Sequence, residues 1–156
     1  MIDLFAEQAL WPHIIVAFRE AFSVLSSAGC SNEALIYELY LCGEPAEIFE
    51  AAAEEGFFNQ LKHHSSVSQY GQLKGATQLD GKDVRSRFQY VLQSRILSGA
   101  FMKEFQAIET ELENKGPENP IEALYIESAK TELGVAEAGV LKRLGLDKID
   151  SSNGVR

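Results

Sequence analysis

Cysteine is scarce. The 156 residues hold only Cys30 and Cys42, with neither the dense, even spacing of a disulfide framework nor the paired spacing of a zinc site. Two free thiols fit a reducing compartment, so the expected location is the cytoplasm. Basic residues are also in deficit, 14 against 23 acidic, for a formal charge of −9 and a pI of about 4.8. That balance excludes nucleic acid as a partner, because phosphate binding needs a clustered basic footprint. It also suits an anionic membrane surface poorly. No apolar run approaches the roughly 18 residues that span a bilayer. The start, Met1-Ile2-Asp3-Leu4-Phe5-Ala6-Glu7, lacks the basic region of a signal peptide. None of the twelve glycines forms a Gly-x-Gly-x-x-Gly fingerprint, and no strand–helix–strand pattern could carry one. The chain is therefore not expected to hold a dinucleotide in the usual way.

What is present reads as helix. The composition, 46% hydrophobic and 24% charged, belongs to a globular domain, and the length suits one. Trp11, Ile14, Ile15, Phe18, Phe22 and Leu25 recur three and four apart, the spacing of one helical face. Pro12 should kink or restart this first helix, and Gly29 should end it. A second helix is predicted from Ser31 or Asn32 to Cys42-Gly43, and a third from Pro45 to about Glu55, closed by Gly56. Residues 62–82, rich in serine and glycine, read as loop with short helical turns. A long helix should start near Asp83, break at Ser98-Gly99 and resume to Leu112. Residues 115–119 read as a linker. The last helix, Ile121 to Leu144, should bend or split because it contains Gly134 and Gly139. The prediction is an all-α single domain over residues 1–146 with a polar tail at 147–156. Phe18, Phe22, Phe49, Phe88 and Phe105 are assigned to the core, Trp11 to an interface, and His63-His64 to an exposed loop.

Asp3 and Glu7 are four apart, which places both carboxylates on one helical face. Paired hard oxygen ligands suit Mg²⁺, although acids in a first turn also simply complement the helix dipole. The flanking residues are informative. Asp3-Leu4-Phe5-Ala6-Glu7-Gln8 resembles the D-L-F-G-E-Q motif of ketol-acid reductoisomerases, enzymes of branched-chain amino-acid synthesis. Ala28-Gly29 and Tyr37-Glu38 resemble the next conserved segment of that family. Gly56 aligns with a glycine after the family's third helix, and residues 65–71 with its S-D-T-A-E-Y-G. Ile96-Leu97-Ser98-Gly99-Ala100-Phe101 and Asn119-Pro120-Ile121-Glu122 continue the likeness in order.

The resemblance implies a knotted helical domain of the family's class I type, interlocked as a homodimer. It implies Mg²⁺ held by Asp3 and Glu7 from one protomer, with Glu38 and a second glutamate from the other. Ser65 would contact a small 2-hydroxy-keto acid substrate. The hydride would come from NADPH on a nucleotide-binding Rossmann domain, joined in cis or supplied in trans. Met1 lies two residues before the first ligand, as a cut at a domain boundary would leave it. The chain by itself is then not expected to be active.

Departures from the family cluster at this expected site. The family's second glutamate follows the first by four residues, where this chain has Cys42. Counting back from Gly56 assigns the role to Glu44, at a spacing of six, which is about 120° off a common helical face. Only a backbone break at Cys42-Gly43 and Pro45 could re-aim it, and Mg²⁺ binding is expected to be weakened or remodelled there. Ser66 replaces an acidic residue, and Pro12-His13 replaces a glycine pair. Two readings follow: the C-terminal part of a ketol-acid reductoisomerase-like oxidoreductase, or a non-catalytic helical dimerisation or small-molecule-binding module that keeps only the fold.

Overall fold

The structure, a computed structural model, describes residues 1–113 and 119–146. Among these every regular element is helical. The predicted tail at 147–156 and most of the linker before Asn119 lie outside the described residues.

The first helix, α1, covers residues 2–27 without interruption. Ile2–Phe5 runs into a π-helical turn, Ala6–Leu10, and then into Trp11–Ser27. The sequence predicts a kink or restart at Pro12, and the α-helical segment does restart there, at Trp11 after the π-turn. A proline deprives the preceding turn of a donor and crowds its carbonyls, and the wider π-turn just before it relieves both effects. His13 then donates through Nδ1 to the Ala9 carbonyl at 2.7 Å. Gly29, at φ +93°, ends α1 as predicted. The Gly29 and Cys30 amides return to the Ser26 and Leu25 carbonyls, a Schellman closure.

Helix α2, residues 32–41, is capped by Ser31, which accepts from the Ala34 amide, and passes into a second π-turn at Tyr37–Leu41. Gly43 takes a left-handed conformation at φ +88°, and α3 (Glu44–Glu55) leaves in a new direction up to Gly56. A 3₁₀ turn, Asn59–His63, follows.

The predicted loop at 62–82 is corrected: it contains helix α4, Ser66–Gln78. Ser65 caps it by accepting from the Ser68 amide. The sequence concealed this helix because it carries no apolar stripe, and Val67 and Tyr70 lie open on its surface. Helix α5, residues 82–97, joins Lys82–Tyr90 to a third π-turn, Val91–Leu97. After the left-handed Gly99 comes α6, Ala100–Leu112. The last predicted helix is split into α7, Pro120–Ala129, and α8, Glu132–Leu144. The break falls at Lys130-Thr131 rather than at the glycines, because Thr131 caps α8 by accepting from the Gly134 amide at 3.1 Å. Gly134 allows close approach instead: a Cβ there would lie 2.5 Å from the Ser128 carbonyl oxygen.

Phe22, Leu35, Ile36, Ala136 and Val140 form the core where α1, α2 and α8 meet. Helix α5 crosses the start of α1 through Phe88, whose ring meets Phe5 at 5.5 Å and His13 at 4.8 Å. The aromatic core assignment holds for Phe22, holds in part for the half-buried Phe18 and Phe88, and is overturned for Phe49 and Phe105. Only Phe22 is fully buried, while Phe49 and Phe105 are 47% and 37% exposed. Trp11, also half open, meets Phe49 edge-on at 6.4 Å. The chain exposes 12097 Å², against about 7,800 Å² for a compact monomer of its 17.2 kDa mass. Granting the fifteen residues outside the description full exposure removes about 2,400 Å² of that excess and leaves close to 2,000 Å². No helix among the described residues is long and apolar enough to cross a membrane.

Candidate metal centre

Asp3 and Glu7 stand on the exposed side of α1, with Phe5 between them packed on Phe88. Glu7 lies on the first π-turn and Glu38 on the second. Such turns insert one extra residue, cost helix regularity and recur at functional sites. Nothing in the apolar pattern announces them, which is why the sequence did not reveal them.

Glu38 and Glu44 share an open cleft of about 620 Å³, whose walls also include Tyr37, Cys42, Gln60 and His64. The backbone break required by their six-residue spacing is therefore present, and it is made by Gly43. Cys42 sits one turn beyond Glu38, with its thiol donating to the Glu38 carbonyl at 3.6 Å. Asp3 and Glu7 are not part of this cleft. Among the described residues no three His, Cys, Asp or Glu side chains stand close enough to hold a metal ion. Two carboxylates on one cleft and two on a separate exposed helical face are a donor set suited to Mg²⁺, but one chain keeps the halves apart.

The histidine assignment holds in part: His63 is exposed as expected, but it belongs to a regular turn and His64 is not exposed. His63 belongs to the 3₁₀ turn and pairs through Nε2 with Glu55 at 2.7 Å, and His64 is half-buried. Both line the cleft beside the glutamates. Gln60 was also missed. It is 3% exposed and donates to the Phe57 carbonyl. Its place in the apolar-flanked run Phe57-Phe58-Asn59-Gln60-Leu61 was the available signal. Ser65 follows His64 directly. Its oxygen accepts the α4 capping bond, which leaves the hydroxyl proton unused by that contact. Gln69 donates to the His64 carbonyl at 2.7 Å and fixes the entry to α4.

On the far side of α2, Tyr40 donates to the Glu137 carboxylate of α8 at 2.5 Å. Burial, then the hydrogen bond and the charge of Glu137, push the Tyr40 phenol well above its ordinary value. Glu33 and Arg143 form an exposed ion pair between the same two helices.

Among the described residues these features define an all-helical domain in which the helices bearing Glu7 and Glu38 each pass into a π-turn at that residue. The chain matches the family "Ketol-acid reductoisomerase, C-terminal domain" over residues 1–144. It belongs to that family. It is also similar to the "Putative ketol-acid reductoisomerase 3" of Saccharolobus solfataricus, with 43% identity over 74 residues. That alignment covers 47% of this chain and 22% of the relative, so it spans about a fifth of the relative's length.

Proposed function

We propose that this chain is the metal- and substrate-binding, dimer-forming domain of a ketol-acid reductoisomerase-like, NADPH-dependent oxidoreductase of the cytoplasm, with the nucleotide carried by a separate domain. The observation that carries the reading is the shared cleft of Glu38 and Glu44, separate from the Asp3–Glu7 face. Each half lacks ligands that the other half has. A second copy would supply them if α1 of one protomer, with Asp3 and Glu7, lies over the cleft of its partner. The surplus of nearly 2,000 Å² of exposed surface is the amount that one protomer of an obligate dimer buries. The exposed Trp11, Ile15, Val24 and Phe49 supply apolar contact for it. The interlocked, knotted arrangement of the family would bury this surface.

In this arrangement Asp3, Glu7, Glu38 and Glu44 would hold Mg²⁺. Once bound, Mg²⁺ supplies Lewis-acid polarisation of the ketone and hydroxyl oxygens of a 2-hydroxy-keto acid. The four carboxylates alone would repel such an anionic acid, so substrate entry depends on the cation charge. Ser65 keeps its oxygen on the Ser68 amide and presents its hydroxyl proton to a substrate oxygen. The neighbouring helix start holds that hydroxyl in place. Gln60 and His64 close the cleft wall and limit water.

Co-production of two chains tests the reading: one with Asp3→Asn and Glu7→Gln, the other with Glu38→Gln and Glu44→Gln. Each homodimer should lose Mg²⁺ binding in calorimetry. The mixed dimer, isolated by two tags, should retain half of the wild-type sites, because one of its two shared sites has all four carboxylates. Mixed dimers without binding would overturn the shared site. A 17.2 kDa monomer by light scattering would overturn the dimer. A wild-type dimer that ignores Mg²⁺ would leave the non-catalytic dimerisation module as the function.

A further inference from the structure

We propose that Tyr40 and Glu137 are positioning residues of this centre, forming a lock between α2 and α8 that sets the rotation of the π-turn carrying Glu38; the inference rests on the metal-binding reading above. Glu38 has no hydrogen-bond or ion-pair partner for its carboxylate among the described residues. It borders open space on two sides, the 620 Å³ cleft and a groove of about 600 Å³ between α2 and α8 lined by Leu41, Val140 and Leu144. No packed neighbour therefore decides where its carboxylate points. The backbone rotation of residues 37–41 does.

Tyr40 is the residue able to fix that rotation. It follows Glu38 by two positions and so projects from roughly the opposite side of the helix, since two residues turn an α-helix by about 200°. Its ring packs against the core cluster around Phe22, Ile36 and Val140. Its hydroxyl reaches Glu137 at 2.5 Å, across 97 positions of sequence. A hydrogen bond to a carboxylate is shorter and stronger than a neutral one, and this one is partly buried. The exposed Glu33–Arg143 pair ties the same helices near the start of α2, but such surface pairs hold weakly. The π-turn itself closes through the Cys42 amide, which reaches the Tyr37 carbonyl five residues back at 2.9 Å. Turns of this kind are rare and need outside support, and Tyr40 provides it from within the turn.

Tyr40→Phe keeps the ring and removes the bond, and Glu137→Gln keeps an acceptor without the charge. Thr131→Ala, which removes the cap of α8 away from Tyr40 and Glu38, serves as a control for lost stability. Two readouts apply: Mg²⁺ affinity by calorimetry, and hydrogen exchange of the Cys42 amide without metal. In Tyr40→Phe, Mg²⁺ affinity should fall about tenfold, the scale of lost outer-layer support for a metal ligand, and the Cys42 amide should exchange faster. Glu137→Gln should fall between wild type and Tyr40→Phe. Thr131→Ala should lower the unfolding temperature through the lost cap while its Mg²⁺ affinity stays within about twofold of wild type, as expected when ligand geometry is intact. Unchanged Cys42 exchange in Tyr40→Phe overturns the lock. Faster exchange with unchanged Mg²⁺ affinity overturns the positioning role and leaves the metal centre standing. Wild-type protein that fails to bind Mg²⁺ overturns the metal reading itself, and with it the positioning role.

Discussion

Gly43→Ala isolates the element that joins the two halves of the cleft. Gly43 sits at φ +88° with nothing within 4 Å of where a Cβ would stand, so the substitution meets no steric wall. Its cost is conformational: an L-residue held left-handed loses about 1–2 kcal/mol. For a domain of this size each kcal/mol lowers the unfolding temperature by about 2–4 °C. The expected drop is therefore about 2–8 °C by thermal denaturation at fixed protomer concentration. Asparagine tolerates the left-handed region better than alanine, so Gly43→Asn should recover a measurable part of the loss. If the chain instead relaxes the turn, Glu44 leaves the direction of Glu38 and Mg²⁺ affinity falls while the temperature falls less. An alanine variant with both unfolding temperature and Mg²⁺ affinity unchanged would refute the account of Gly43 as a strained turn that aims Glu44.

The helix packing and capping carry further expectations. Gly134→Ala would place its Cβ 2.5 Å from the Ser128 carbonyl oxygen and should cost about 1–3 kcal/mol through overpacking. Gly139→Ala meets only the end of the Arg143 side chain at 3.7 Å and should stabilise α8 by about 0.5–1 kcal/mol; comparable denaturant midpoints for the two variants would refute the close approach of α7 to α8. Ser65→Ala should cost about 1 kcal/mol as a lost cap, and Ser65→Asp should restore it, as read from chemical denaturation. Because the Tyr40 phenol is raised in the folded state by burial and then by Glu137, folding holds its proton more tightly than the unfolded chain does. That contribution to stability is complete below the unfolded value of about 10 and is lost as pH rises from there through the folded value. Alkaline unfolding of Tyr40→Phe should accordingly show a shallower loss above pH 10, measured against wild type by circular dichroism.

Local rules carried much of this protein. Ser31 as a cap, Gly29 and Gly56 as helix ends, and the interruption at Ser98-Gly99 involve residues within one helical turn of each other, so spacing alone reveals them. The family likeness was legible for the same reason, because its motifs are short and ordered along the chain. The exposed helix α4 was not legible, since a helix that buries no stripe leaves no apolar period in its sequence. Nor were the π-turns at Glu7 and Glu38, where one extra residue disturbs the register without changing composition.

The sequence by itself determined an acidic, all-helical domain with carboxylates at positions 3, 7, 38 and 44, through periodicity, capping chemistry and charge. Tertiary structure decided which of these meet. Gly43 turns Glu44 into the cleft of Glu38, and the 3₁₀ turn after α3 brings His63 and His64 to the same wall. Of the aromatic residues assigned to a core, Phe49 and Phe105 stay open because α1, α2 and α8 close around Phe22 and Ile36. That division follows from distance along the chain. A helix cap is a contact across a few residues, whereas the bond from Tyr40 to Glu137 spans 97 and exists only after the helices pack.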